Sequence, residues 1–159
     1  FGRLVEGHDI GWFEEPCHWT NDRRDMARLR GRMSLPICAG QSAITREGAR
    51  DLMEAGAIDV CNFDASWGGG PTEWLRVAAT AKSFGVQVLQ HLEPQIGAAL
   101  GASRSNGRYF EVMSPVRDPF FYRLISNLPP LRDGRMPMPE GPGWGWTLDE
   151  DLISATRVA

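Results

Sequence analysis

IDVCNFDASWGGGPTEWLRVAATAKSFGVQVLQH, residues 58–91, holds the organisation of the chain in a single unit. An apolar run ends on Asp64, and three glycines follow at 68–70. From Thr72 to Gly85 the apolar residues recur at helical spacing, and a second apolar run, VQVL, ends on His91 after Gln90. That is strand, tight turn, helix, strand. Thr72 is expected to cap the helix and Gly85 to close it. Strands joined through a helix run parallel, because parallel pairing needs a crossover. The glycine run has no GxGxxG and no following Lys-Ser/Thr. It therefore reads as a turn that brings the helix close behind Asp64, not as a phosphate cradle. Trp67, just before it, is expected at the rim of a pocket.

The same unit repeats on both sides. IGWFEEP (10–16) is a strand ending at Pro16, and 21–33 is a helix opened by Asn21 and Asp22 with Met26, Leu29 and Met33 on one face. LPICAG (35–40) is a strand, and TREGARDLMEAG (45–56) is a helix with Thr45 as cap and Gly56 past its end. QIGAALGAS (95–103) is a small-residue helix, and RYFEVM (108–113) is a fifth strand. Repeats of this kind make an α/β fold, either an open doubly wound sheet or a (β/α) barrel. Five units cannot close an eight-stranded barrel, so in the barrel case the chain is its second half. Residues 1–113 carry the strand–helix units. Residues 114–159 form a Pro/Gly-rich tail, which Trp144, Trp146, Phe120 and Phe121 are expected to pack down and which ends in a short helix within TLDEDLISATRV (147–158).

Composition excludes several classes of function. The chain has 159 residues, 42% hydrophobic and 23% charged, with a formal net charge of -3. That is a globular composition, without the basic cluster that nucleic acid or an anionic membrane surface would require. No apolar run approaches the roughly 20 residues of a membrane span. The opening FGRLVEGHDIGW lacks the basic and apolar regions of a signal peptide and reads as entering in mid-element. Cys17, Cys38 and Cys61 form no CxxC pair, so buried thiols and a reducing cytoplasm are expected. Arg23, Arg24, Arg28, Arg30 and Arg32 read as a solvated helix face, and His8 and His18 as surface residues.

The strand ends are less ordinary. In order they carry Glu14 and Glu15, Gln41, Asp64, His91 and Glu111. In parallel α/β folds the carboxyl ends of the strands converge on one ligand-binding mouth. Asp64 and His91 end neighbouring strands, where a carboxylate can orient an imidazole. Glu14 offers a hard oxygen to Mg2+, and Gln41 a neutral one. Glu111, as an acid, can donate to a substrate carboxylate as charge grows on it. A base, a cation and an acid around one pocket suit removal of the proton next to a carboxylate.

WFEEP, LPICAGQS, the unit at 58–91, YFEVM and MPEGPGWGWTLDEDL together resemble the second half of the barrel domain of the enolase superfamily, mandelate racemase subgroup. The resemblance implies Glu14 as a Mg2+ ligand and Gln41 where most members carry a ligating glutamate. It implies Asp64 and His91 as the acid–base dyad, and Glu111 as the group that holds the substrate carboxylate opposite the metal. It also implies a small-molecule carboxylate substrate, an acid-sugar dehydration through an enediolate, and a homo-oligomer when the protein is full length. Racemisation or epimerisation of a 2-hydroxy acid is the alternative, as is a non-catalytic, metal-deficient fragment. The family's first metal ligand, its lysine motif and its capping domain are expected before Phe1.

Overall fold

The computed structural model describes residues 1–20 and 22–158. The expected capping role of Asn21, and the packing of the Phe120 and Phe121 side chains, lie outside what is described. The elements are α1 (Gly2–Val5), β1 (Phe13–Glu14), α2 (Asp22–Arg30), β2 (Ile37–Ala39), α3 (Arg46–Glu54), β3 (Val60–Cys61), α4 (Gly70–Ser83), β4 (Gln87–Gln90), α5 (Pro94–Ala102), β5 (Gly107–Phe110), α6 (Pro119–Leu124) and α7 (Glu150–Thr156). The five strands are all parallel and lie in the order β1-β2-β3-β4-β5.

That order decides between the two architectures. A doubly wound sheet reverses direction at a switch point, whereas this sheet advances one strand at a time, as the wall of a barrel does. Side-chain parity agrees. Ile37, Ala39, Cys61 and Val88 face outward into a core shared with Met26 of α2, Leu52 and Met53 of α3, Trp74, Val77 and Ala81 of α4 and Ile96 and Leu100 of α5. The alternate residues Cys38, Val60 and Leu89 face the other way and pack with Trp12 in a second, smaller cluster. Trp12 also meets Tyr109 edge-on, with ring centroids 5.2 Å apart, so the sheet curves far enough for a side chain just before its first strand to reach its last.

The strands are shorter than the apolar runs that contain them. The backbone pairing nevertheless continues one step past β1, β3, β4 and β5, through Glu15 N–H to Cys38 O (2.9 Å), Asn62 N–H to Ala39 O (3.4 Å), His91 N–H to Phe63 O (3.4 Å) and Glu111 N–H to Gln90 O (3.2 Å). Thr45 caps α3 by accepting from Gly48 N–H at 3.1 Å, and Gly56 and Gly85 take the left-handed backbone that follows α3 and α4. Thr72, expected as a cap, instead lies inside the first turn of α4. The helix starts at Gly70, after Gly69 with φ 97°, because Pro71 is preorganised for the first turn. The turn before it is tight: a Cβ on Gly68 would come within 2.2 Å of the Phe63 ring.

The tail is tied back on itself by Ser126 N–H to Thr147 O (2.9 Å), and Trp146 packs against the outer core. Its last helix is capped by Asp149, which accepts from Leu152 N–H at 2.8 Å. Among the described residues, no helix is long and apolar enough to cross a membrane. Cys38 and Cys61 are buried, and burial pushes the Cys61 thiol up to about 12, so it packs as a small apolar group.

The arginine stripe on α2 is only partly a solvated face. Arg23 reaches Asp51 of α3 at 2.7 Å, and Arg30 forks onto both carboxylate oxygens of Asp59 at 2.7–3.0 Å. Asp59 also accepts from Ile37 N–H at 3.0 Å, which pins the amino end of β2 to the approach to β3. Burial raises the Asp59 carboxyl, but the Arg30 fork and the Ile37 amide outweigh it and hold the group below its ordinary 3.8. A folded-state value below the unfolded one stabilises the fold above that unfolded value, and the contribution is lost as pH falls through the folded value. In the full-length protein, Asp59→Asn should therefore cost about 1–2 kcal/mol at neutral pH. The cost should shrink as pH falls below about 4. Urea denaturation across that pH range measures both effects.

Candidate active site

At the carboxyl ends of the strands the inward parity continues into polar residues. Val60 is followed at two-residue steps by Asn62 and Asp64, Leu89 by His91, Tyr109 by Glu111, and Trp12 by Glu14. The mouth of the curved sheet is lined by what these four strands carry just beyond their last apolar inward residue; Gln41, in step with outward Ile37 and Ala39, reaches Asn62 only after Gly40, with φ 139°, breaks the alternation.

One group gathers around His91. Its Nδ1 lies 2.8 Å from Asp64 Oδ2, and both side chains are buried, at 10% and 3% exposure. The other Asp64 oxygen accepts from Ser66 N–H at 2.7 Å and Trp67 N–H at 3.2 Å, so the carboxylate cannot rotate away. A carboxylate held this way accepts only, which puts the imidazole proton on Nδ1 and leaves the Nε2 lone pair for a reacting proton. Nε2 faces Glu111 Oε2 at 3.7 Å, beyond hydrogen-bond length. Glu111 is itself fixed by Leu92 N–H at 3.0 Å. The Trp67 ring stands edge-on to His91 with centroids 5.8 Å apart.

A second group gathers around Asn62. Glu14 Oε1 and Gln41 Oε1 come from neighbouring strands and converge on Asn62 Nδ2, at 3.4 and 3.2 Å. Trp12 Nε1–H holds the other Glu14 oxygen at 3.0 Å. Glu15 turns aside and accepts from Gly40 N–H at 3.0 Å, joining the ends of β1 and β2. Burial lifts the Glu15 carboxyl above its ordinary 4.5, although the Gly40 amide pulls the other way. Two convergent oxygens, one charged and one neutral, fit Mg2+ in kind, since that ion takes few protein oxygens and completes its shell with water and substrate. Among the described residues there is no cluster of three or more His, Cys, Asp or Glu able to hold a metal ion.

The structure thus brings together all five expected site residues at one end of the sheet, in two neighbouring groups. Sequence reading missed Asn62, Ser66, Gln90 and Glu93. Parity along β3 places Asn62 on the same inward face as Asp64, a signal available in the sequence. Nothing local marks Gln90: it is fully buried on the outward face, accepts from Ala65 N–H at 3.1 Å and donates to His91 O at 2.6 Å. Backbone strain collects here as well. Glu15, Leu92 and Glu93 are three of the four non-glycine residues with left-handed backbone among those described, at φ 42°, 53° and 47°. Such a conformation costs about 1–2 kcal/mol per residue and persists where neighbouring contacts over-determine it. Here those contacts are Leu92 N–H to Glu111 and a Ser66 hydroxyl to Glu93 hydrogen bond.

These features describe a barrel-type α/β domain that carries a buried carboxylate–imidazole pair and two convergent side-chain oxygens at its strand ends. A family model for the enolase C-terminal domain-like proteins matches residues 1–152, and the chain belongs to that family. The chain is 29% identical over 160 residues to the arabinonate dehydratase of Saccharolobus solfataricus, covering 96% of this chain and 41% of that one. It superposes with a TM-score of 0.95 and 49% identity on a mandelate racemase/muconate lactonizing enzyme from a marine actinobacterium in complex with magnesium, covering 99% of this chain and 45% of that one. L-talarate dehydratase from Polaromonas sp. JS666, complexed with Mg and L-glucarate, gives a TM-score of 0.86 at 28% identity, covering 98% of this chain and 42% of that one. The chain spans about two fifths of the length of these relatives.

Gln90 couples the loop of Asp64 to the backbone of His91 through two buried hydrogen bonds. Gln90→Leu keeps the volume but strands an N–H and a carbonyl, and should cost about 2–4 kcal/mol in urea denaturation of the full-length protein.

Proposed function

We propose that the full-length protein is a Mg2+-dependent hydro-lyase that removes the proton next to the carboxylate of an acid sugar and expels the neighbouring hydroxyl as water. The observation that carries this reading is the buried Asp64–His91 contact, 2.8 Å long, with Nε2 open towards Glu111. Similarity to arabinonate and L-talarate dehydratases supports the substrate class and the choice of dehydration over racemisation.

The chain's own residues divide the work. His91 Nε2 takes the α-proton, so the C–H bond breaks as N–H forms and the electron pair moves towards the substrate carboxylate. Asp64 holds the ring in the required tautomer and stabilises the imidazolium that results. Glu111, beside His91, donates a hydrogen bond to the carboxylate as its charge grows. The electron pair then expels the C3 hydroxyl, which takes the proton held on His91 Nε2 and leaves as water, so the imidazole returns to its neutral form. Glu14 and Gln41 would hold Mg2+, which when bound offsets the negative charge gathering on the substrate carboxylate.

His91→Asn should lower α-proton exchange with solvent deuterium by at least ~100-fold while leaving Mg2+ affinity nearly unchanged. Proton NMR of an aldonic acid in deuterated buffer reads the exchange, and undiminished exchange would remove His91 from the base role. Gln41→Glu restores a second charge beside Glu14 and should tighten Mg2+ about tenfold, measured by calorimetric titration with MgCl2.

A further inference from the structure

We infer that Asn62 is a positioning residue whose role is to make the neutral Gln41 present its oxygen, not its NH2, to the cation site. The inference rests on the reading that Glu14 and Gln41 hold Mg2+.

A glutamine at a cation site carries an ambiguity that a glutamate does not. Its two terminal atoms have the same shape, but one is an acceptor and the other a donor that repels a cation. Rotating the amide by half a turn exchanges them. Something must select the oxygen, and the hydrogen bonds around Asn62 do so without ambiguity. The peptide N–H of Gln41 can only donate, so the atom it meets on Asn62 at 3.0 Å is Oδ1. The other branch of the Asn62 side chain is then NH2, facing the Gln41 side chain at 3.2 Å and Glu14 at 3.4 Å. Two NH2 groups repel at that distance, so Gln41 turns Oε1 inward. The two hydrogens of Asn62 Nδ2 serve one oxygen each, which also sets Glu14 Oε1 beside Gln41 Oε1.

The surroundings hold Asn62 firmly in this orientation. It is 1% exposed, so no water stands in for a lost partner. Its own N–H bonds Ala39 O at 3.4 Å, and its chain neighbours Cys61 and Phe63 anchor in the outer core. Gly40 leaves the necessary space: a Cβ there would come within 2.9 Å of Cys61 Sγ and 3.5 Å of both Asn62 N and Oδ1. The Gln41 amide and the Asn62 amide therefore work as a pair. With a glutamate at position 41 either terminal atom is an oxygen, and the orienting NH2 would have little left to do.

That contrast supplies the test. Mg2+ affinity is measured by calorimetric titration with MgCl2, without substrate, on four full-length proteins: wild type, Asn62→Leu, Gln41→Glu and the double variant. Asn62→Leu should weaken Mg2+ binding about tenfold or more when Gln41 is present, and less than about threefold in the Gln41→Glu background. Equal losses in both backgrounds would overturn the inference and leave Asn62 as packing, with the Mg2+ reading intact. Asn62→Ser removes the NH2 with less disturbance to the core and should show the same dependence on the residue at position 41. Should the wild-type protein bind no Mg2+ at millimolar concentration, both the metal reading and this inference fall.

Discussion

Past four of the five strands, the sheet makes one further parallel hydrogen bond at or beside a polar residue of the mouth: Glu15 to Cys38, Asn62 to Ala39, His91 to Phe63 and Glu111 to Gln90. The rest of the site depends on this extra rung. It fixes the backbone beside these polar side chains, and for all the mouth residues but Gln41, which follows the turn at Gly40, the two-residue period of a strand then determines which side chains face the mouth. Residues that point outward, Cys61, Phe63 and Val88 among them, anchor the same rungs in the core beneath the helices. A shift of one residue in any strand would exchange the two sets and bury carboxylates in that core.

On this scaffold the two halves of the mouth use different means of control. At the Asp64–His91 half, orientation comes from charge and backbone amides: a carboxylate held by two N–H groups holds a ring in turn. At the Glu14–Gln41 half it comes from amide chemistry, with one buried asparagine deciding how a neutral side chain faces. The strained backbone at Leu92 and Glu93 fits the first half. It turns the chain away sharply after His91 and aims Leu92 N–H at Glu111, so that acid and imidazole stay close without bonding to each other.

Much of this was legible in the residues. The alternation of apolar runs with helical segments, the Thr45 cap and the turns at Gly56 and Gly85 each depend on local stereochemistry, and each stands where local stereochemistry places it. The start of α4 does not, because Pro71 outweighs Thr72 in choosing the first turn. The arginine face of α2 reads as solvated in a one-dimensional pattern, but its partners Asp51 and Asp59 lie 28 and 29 residues away along the chain.

The order of the elements, the parallel sheet and the five polar residues at strand ends follow from the residues alone, because period and spacing are properties of a few consecutive positions. Whether the sheet was doubly wound or barrel-like waited on the strand order, which no local pattern contains. It took the folded arrangement to show that Gln90 ties two loops together and that Asn62 stands between Glu14 and Gln41. A buried amide acquires its role from the direction of the donors and acceptors around it. Those directions come from strands 21 to 48 residues apart in sequence, brought together by the curvature of the sheet.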